Sequence, residues 1–146
     1  MVELRIINED NYVECLNLHA TAIDEDFVDS VAYSLAEAWV FYEESRPFAI
    51  YADHVMVGFV SMSISDNNPQ IINFMIDGRF QKRGYGTAAA KLCIEYLCKE
   101  YNASRISLPV NLENKTALKF WSSLGFERSD NIENGNLYMR LYITEK

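Results

Sequence analysis

The stretch Gln81-Lys82-Arg83-Gly84-Tyr85-Gly86-Thr87 stands between an apolar-rich run, Ile71-Ile72-Asn73-Phe74-Met75-Ile76, and a helical pattern from Tyr85 to Glu100. That order reads as a strand, a glycine turn and a helix. Two glycines two apart let the backbone come close to another group, and the first amides of a helix have no partner within it. With the positive end of the helix dipole behind them, such amides form a site for an anion. Lys82 and Arg83 add side-chain charge to the same turn. Gly-x-Gly also occurs at ordinary turns; the order strand, glycine turn, helix is what favours the anion site here.

Length and composition set the outer bounds. At 146 residues the chain suits one domain, residues 1–146, and its 49% hydrophobic content can fill one core. No apolar run approaches the ~18 residues of a membrane helix, and Met1-Val2-Glu3-Leu4-Arg5 lacks the apolar region of a signal peptide. The expectation is a soluble, cytoplasmic protein with no membrane partner. Cys15, Cys93 and Cys98 are an odd number without metal-ligand spacing, so neither a disulfide framework nor a metal is expected. A formal net charge of -8 disfavours nucleic acid as a partner and favours a cationic substrate, although acidic surfaces also serve solubility.

Taken in order, Val2 to Ile7 reads as a strand. Asp10 then caps a helix with Tyr12, Val13, Leu16 and Ala20 on one face. Asp24-Glu25-Asp26-Phe27-Val28-Asp29 puts four carboxylates in six positions ahead of a second helix from about Ser30, with Val31, Leu35, Ala38, Trp39 and Tyr42 on its stripe. Phe48–Ala52 and Val55–Ile64 form a hairpin about Asp53-His54, and Ser65 to Pro69 is a turn. The strand Gln70 to Asp77 sets Gln70, Ile72, Phe74 and Ile76 on one face and Ile71, Asn73 and Met75 on the other. Beyond the glycine turn the helix packs through Ala88, Ala89, Leu92, Cys93, Tyr96 and Leu97. Arg105 to Val110 is a strand in which Pro109 requires an end, an edge or a bulge. Asn114 opens a last helix with Ala117, Phe120, Trp121 and Leu124 on its apolar set, ending at Gly125, and a final hairpin turns at Asn134-Gly135. His19 and His54 lie in no motif, and no repeat or linker interrupts the chain.

Gln81-Lys82-Arg83-Gly84-Tyr85-Gly86 matches the pattern Q/R-x-x-G-x-G/A, and Asn114 to Phe126 follows N-x-x-A-x-x-L-Y-x-x-x-G-F with Trp121 at the tyrosine. In both motifs, their order and their spacing the chain resembles the Gcn5-related N-acetyltransferase family, and within it the bacterial spermine/spermidine acetyltransferases. The resemblance covers nearly the whole chain. It implies a mixed, mostly antiparallel sheet of six or seven strands flanked by four helices, an α/β (α+β) fold. It implies transfer of an acetyl group from acetyl-coenzyme A to a primary amine by direct attack, with a small cationic amine such as spermidine or spermine as acceptor and room for a homodimer. A protein N-terminus or lysine as acceptor differs only in the acceptor groove.

By the same resemblance, the backbone of Phe74, Met75 and Ile76 pairs with the pantetheine amides, and the amides of Arg83, Gly84, Tyr85, Gly86 and Thr87 hold the pyrophosphate. Gln81, Lys82 and Arg83 stand near phosphate, Asn114 reaches the pantetheine arm, and Trp121 touches the coenzyme. The acceptor is met by Asp26, Phe27 and Asn73. Relatives place a tyrosine proton donor where this chain has Trp121 and a glutamate where it has Gln70, so the catalytic acid and base are unassigned, with Trp121, Tyr138 and Tyr142 as candidates. An indole N–H donates a hydrogen bond but does not release its proton near neutral pH. That departure keeps open an acyl-coenzyme A binding or sensing module without turnover.

Overall fold

The computed structural model describes residues 1–21 and 27–144. Seven strands form one sheet in the order β1-β2-β3-β4-β5-β7-β6. They are β1 Val2–Ile6, β2 Ser45–Ala52, β3 Val55–Ser63, β4 Gln70–Ile76, β5 Arg105–Asn111, β6 Glu127–Glu133 and β7 Asn136–Tyr142. Helices α1 Tyr12–Leu16 and α2 Val31–Val40 cover one face; α3 Tyr85–Tyr101 and α4 Lys115–Ser123 cover the other. Every neighbouring pair is antiparallel except β4 and β5. The expected mixed, mostly antiparallel sheet with four helices is what forms. Among the described residues, no helix is long and apolar enough to cross a membrane.

Local chemistry places the strands. Asp53 and His54 (φ 49° and 71°) and Asn134 and Gly135 (φ 53° and 80°) are all left-handed, which two-residue hairpin turns need to match the twist of their strands. One core, under α3 and α4, gathers Ile50, Val60, Met62, Leu108 and Met139 against Ala89, Cys93 and Leu97. The second, under α1 and α2, gathers Tyr51, Phe59 and Met75 against Cys15, Leu18 and Val31.

Three sequence expectations are corrected. The cap of α1 is Asn11, not Asp10, and the helix lasts only five residues. Cys15 and Leu18 turn inward while Tyr12, Val13 and Leu16 are exposed, because the predicted stripe has too few turns to run on. Helix α2 begins where the sequence suggests, and Ser30 caps it, its hydroxyl accepting from the Tyr33 N–H at 3.1 Å. The inward positions are Val31, Ser34 and Ala38, so Trp39, one residue further round, is 77% exposed, and Tyr42, beyond the helix, is 63% exposed.

The third correction lies in β4. Burial alternates along it as the sequence predicts. The faces do not, because the pairing with β3 steps from Ser61↔Asn73 to Met62↔Ile71 and leaves Ile72 as an extra residue. Such a bulge reverses the facing of the residues beyond it and bends the strand. Ile71 therefore belongs to the core under α3 and α4, whereas Met75 packs under α1 and α2.

Candidate active site

The bend at Ile72 parts β4 from β5. The two strands pair at one position, Gln70 with Ser107, and then diverge. Because the Asp77 N–H donates to the Val57 carbonyl, counting back by twos assigns Met75 and Asn73 to β3 and turns the backbone N–H and C=O of Phe74 and Ile76 toward the gap. On the far side, the Ser107 N–H donates to the Pro69 carbonyl, so the backbone of Pro109, two residues on, also faces the gap. Proline has no N–H to give there, which removes a donor that would re-zip the strands. This is why Pro109 is tolerated in an interior strand. The resulting cleft holds about 460 Å³ and runs from Ile71 to the glycine turn, with Phe27 and Val28 on its wall.

At the other end, the turn is shaped for a bound anion. Lys82 and Gly84 both take left-handed conformations, with φ of 63° and 82°. Gly84 caps α3, and the first intrahelical bond is from the Ala88 N–H to the Gly84 carbonyl at 3.2 Å. The amides of Tyr85, Gly86 and Thr87 precede it and have no carbonyl a turn earlier to bind. A Cβ built on Gly84 would meet no atom within 4 Å, so the space above this helix end is open. At Gly86 a Cβ would touch Ile76 at 3.7 Å and the Phe120 ring at 3.8 Å, ordinary contacts that agree with the G/A freedom of the motif.

Asp77 fixes this turn to the rest of the molecule. Its carboxylate, 4% exposed, accepts from the His19 N–H at 3.0 Å, the Arg79 N–H at 2.9 Å and the Arg79 Nε at 2.9 Å. Burial opposes its ionisation, but the bonds from Arg79 and His19 prevail and hold it below the usual aspartate range. The guanidinium groups of Arg79 and Arg83 lie 5.1 Å and 5.9 Å from the Phe80 ring centre. The turn thereby keeps positive charge at the mouth of an acidic protein.

The sequence candidates fare differently. Lys82, Gly84, Tyr85, Gly86 and Thr87 line the cleft. The Gln81 amide reaches back to the Ile76 carbonyl at 3.0 Å, bracing the turn and using one lone pair of a gap-facing group. Arg83 leans on Phe80 and is not among the lining residues. Asn114 lines the cleft while its Oδ1 caps α4 by accepting from the Ala117 N–H at 3.1 Å, which leaves its N–H₂ end as the group with something to offer. Trp121, 6% exposed, lines the wall edge-on to Phe74, Phe120 and Phe126.

Asn73 is spoken for. Its amide donates to the Ser34 hydroxyl at 2.8 Å and to the Asp29 carbonyl at 3.0 Å, tying β4 to the start of α2. Tyr138 is not brought to the cleft, and burial, followed by the charge of Glu133 nearby, raises its pKa. Tyr142 is exposed on the last strand, and Gln70 sits where the strands are still paired. Asp24, Glu25 and Asp26 lie outside the described residues. Phe80, Pro109 and Phe120 line the site although sequence reasoning did not name them as site residues. Among the described residues, no cluster of histidine, cysteine, aspartate and glutamate could hold a metal.

An elongated ligand with an anionic group at one end and an amide-bearing arm matches a cleft with bare helix amides at one end and a gap-facing strand along it. A model of the Acetyltransferase (GNAT) family matches residues 7–126. The chain belongs to that family and is an acetyl-coenzyme A-dependent N-acetyltransferase. Over 147 aligned positions, 94% of this chain and 96% of the other, it is 24% identical to the spermine/spermidine N(1)-acetyltransferase of Bacillus subtilis (strain 168). Its fold is similar to that of the paia N-acetyltransferase of Thermoplasma acidophilum, solved in complex with coenzyme A (TM-score 0.72, 15% identity, 98% of this chain and 99% of that one). The ribosomal-protein-S18-alanine N-acetyltransferase of Escherichia coli is also similar (TM-score 0.77, 18% identity, 100% of this chain and 96% of that one).

Proposed function

We propose that the chain acetylates a primary amine of a small polycation such as spermidine or spermine. The observation that carries the acceptor class is the tether from Asn73 to Asp29. It fixes the backbone of Asp29, an exposed residue and the last of the four acidic ones ahead of α2 in the sequence, to the cleft strand, and Phe27 and Val28 beside it in the chain stand on the cleft wall. The net charge of -8 and the polyamine-acetylating relative support the same reading. An amine with two or more charges can leave one in that acidic surround and present another, neutral, to the cleft.

For the coenzyme, the amides of Tyr85, Gly86 and Thr87, with Lys82 beside them, hold the pyrophosphate. The gap-facing backbone of Phe74 and Ile76 pairs with the pantetheine amides, and the Asn114 N–H₂ reaches the same arm. Bound there, acetyl-coenzyme A supplies an activated acetyl group and a thiolate that leaves readily, its pKa near the ~8.5 of a thiol. Trp121 walls the cleft and orients what lies in it. The amine attacks directly: Cys15 and Cys93 are buried in the two cores, where loss of hydration raises their pKa to about 11 and about 12, the charge of Glu14 adding to the effect at Cys15. Neither can serve as an acyl carrier.

An alkyl ammonium with a pKa near ~10.4 is neutral in only about one molecule per thousand at pH 7, so a route for its proton is required. The described lining residues include no carboxylate and no imidazole. The proton is therefore passed to solvent water. A thiol-release assay with acetyl-coenzyme A and a panel of polyamines, amino acids, aminoglycosides and peptides tests the reading. Spermidine or spermine is expected to give the highest kcat/KM, with KM rising as salt screens the acidic stretch. Preference for a peptide N-terminus, or a KM indifferent to salt, would refute it.

A further inference from the structure

We propose that α2 and the turn after it form the contact of a homodimer. The sequence of α2, VAYSLAEAWV, carries one charge in ten residues. A helix that is apolar on every side is normally buried on every side, yet among the described residues only Val31, Ser34 and Ala38 of this helix are buried, with Leu35 partly covered beside them. At roughly 100° per residue, the opposite face is centred on Ala36. Ala32, Tyr33, Trp39 and Val40 then fall within roughly 60° of that centre, and Glu37 lies outside them. All five patch residues are solvent-facing, with Tyr33, Trp39 and Val40 at 58%, 77% and 67% exposure. Phe41 and Tyr42 extend the patch at 55% and 63%, the Tyr42 ring 6.0 Å from that of Trp39.

The size of the patch fits a second copy of the chain. At ~150–250 Å² per aromatic side chain, the four rings alone present roughly 500 Å². That lies at the upper end of the ~300–600 Å² of the largest patch on an ordinary monomer. It also makes up most of the ~800 Å² that each partner buries in a standard interface. The pattern is also self-complementary. An antiparallel pair related by a two-fold axis at Ala36 sets residues 39 and 40 of one copy level with 33 and 32 of the other, so that Trp39 lies over Ala32 and Tyr33 beside Val40. Small residues at the crossing let the helices approach, and the rings fill the flanks. A lipid surface is a poor match, because no lysine or arginine occurs from Phe27 to Ser45 while Asp29, Glu37, Glu43 and Glu44 do.

Through Ser34 and Asp29, α2 is bonded to Asn73 of the cleft strand, so the dimer would brace the acceptor wall of each copy. Sedimentation of the full chain over a dilution series reads the assembly without substrate or coenzyme, so its outcome is separate from that of the polyamine reading. A concentration-dependent dimer is expected. Val40→Glu and Ala36→Arg, both at solvent-facing positions that leave the core intact, should weaken it ~30-fold or more, the scale of an interface hot spot, with unchanged circular dichroism. Trp39 is one of two tryptophans and Trp121 is buried, so acrylamide quenching should fall as the parent associates and stay high in both variants. A monomer at every concentration, a dimer that survives both substitutions, or a monomer that floats with anionic lipid vesicles would overturn the proposal.

Discussion

Replacing Gly84 and Gly135 by alanine, one at a time, separates the backbone requirement of a glycine from its ligand requirement. The two have nearly the same conformation, φ of 82° and 80°, and a Cβ on either meets nothing within 4 Å. Each alanine should therefore destabilise the fold by the same ~1–2 kcal/mol that a left-handed L-residue costs. That corresponds to a fall in Tm of about 4 °C per kcal/mol at this chain length. Only Gly84 stands over the bare amides of α3. A methyl group there displaces an anion from one or more charge-assisted hydrogen bonds, worth ~1.5–3 kcal/mol each, and so weakens acetyl-coenzyme A by ~10- to 100-fold. Gly84→Asn adds a check, since asparagine tolerates the left-handed region and recovers stability while still filling the space. Thermal unfolding and isothermal titration with acetyl-coenzyme A measure the two effects independently. Parent affinity in Gly84→Ala, or equal loss of affinity in Gly135→Ala, would refute the pyrophosphate cradle.

Asp77→Asn keeps the shape of the side chain but loses charge-assisted bonds, and should cost about 1.5–3 kcal/mol near neutral pH. Because its pKa is lowered on folding, the stabilisation is complete above the ~3.9 of an unfolded aspartate and lost as pH falls through the folded value. The gap in urea midpoint between parent and variant should close below that pH, and a gap constant with pH would remove Asp77 as its source. Gly58→Ala would drive a methyl group into the Met75 carbonyl and to 3.0 Å from Ile76 Cδ1, displacing the cleft strand. An overpacking loss of ~1–3 kcal/mol and a raised KM for acetyl-coenzyme A are expected, and unchanged stability would show that β4 yields freely. Trp121→Phe should keep most of kcat, with a stability loss well below the ~3–5 kcal/mol of truncation to alanine. Trp121→Tyr should match or exceed the parent, and a drop in kcat beyond ~100-fold in the phenylalanine variant, with coenzyme affinity intact, would make the indole N–H a transition-state donor.

The strand, glycine turn and helix at one end of the cleft were legible because their requirements are local. A glycine at positive φ, a helix start and a strand before it are each written within a few consecutive residues from Ile71 to Thr87. The roles of Gln81, Arg83 and Asn114 were harder, since a side chain named from a motif can spend its polar atoms on the protein itself. Gln81 does so on Ile76, and Asn114 on Ala117. The hairpin turns were read correctly for the same local reason. Trp39 was misassigned because an apolar residue on a helix that is apolar all round carries no information about which way it points, and Tyr42 because the helix ends at Val40, before the predicted stripe does.

The extra residue at Ile72 left no mark on the pattern from which strands are read. Burial alternates through β4 with or without it, since the residues after the bulge exchange one apolar environment for another. Its consequences are nonetheless the ones that shape the cleft. It bends β4 away from β5 after the Gln70–Ser107 pair and so opens the cleft. It also turns Asn73 to the face of α2, where the amide binds Ser34 and Asp29 instead of meeting the core under α3. Opening of the cleft and the tie from its strand to α2 thus both arise from one insertion. Asn73, out of place on an apolar strand by its sequence, is in its true register the residue that bonds the cleft strand to α2.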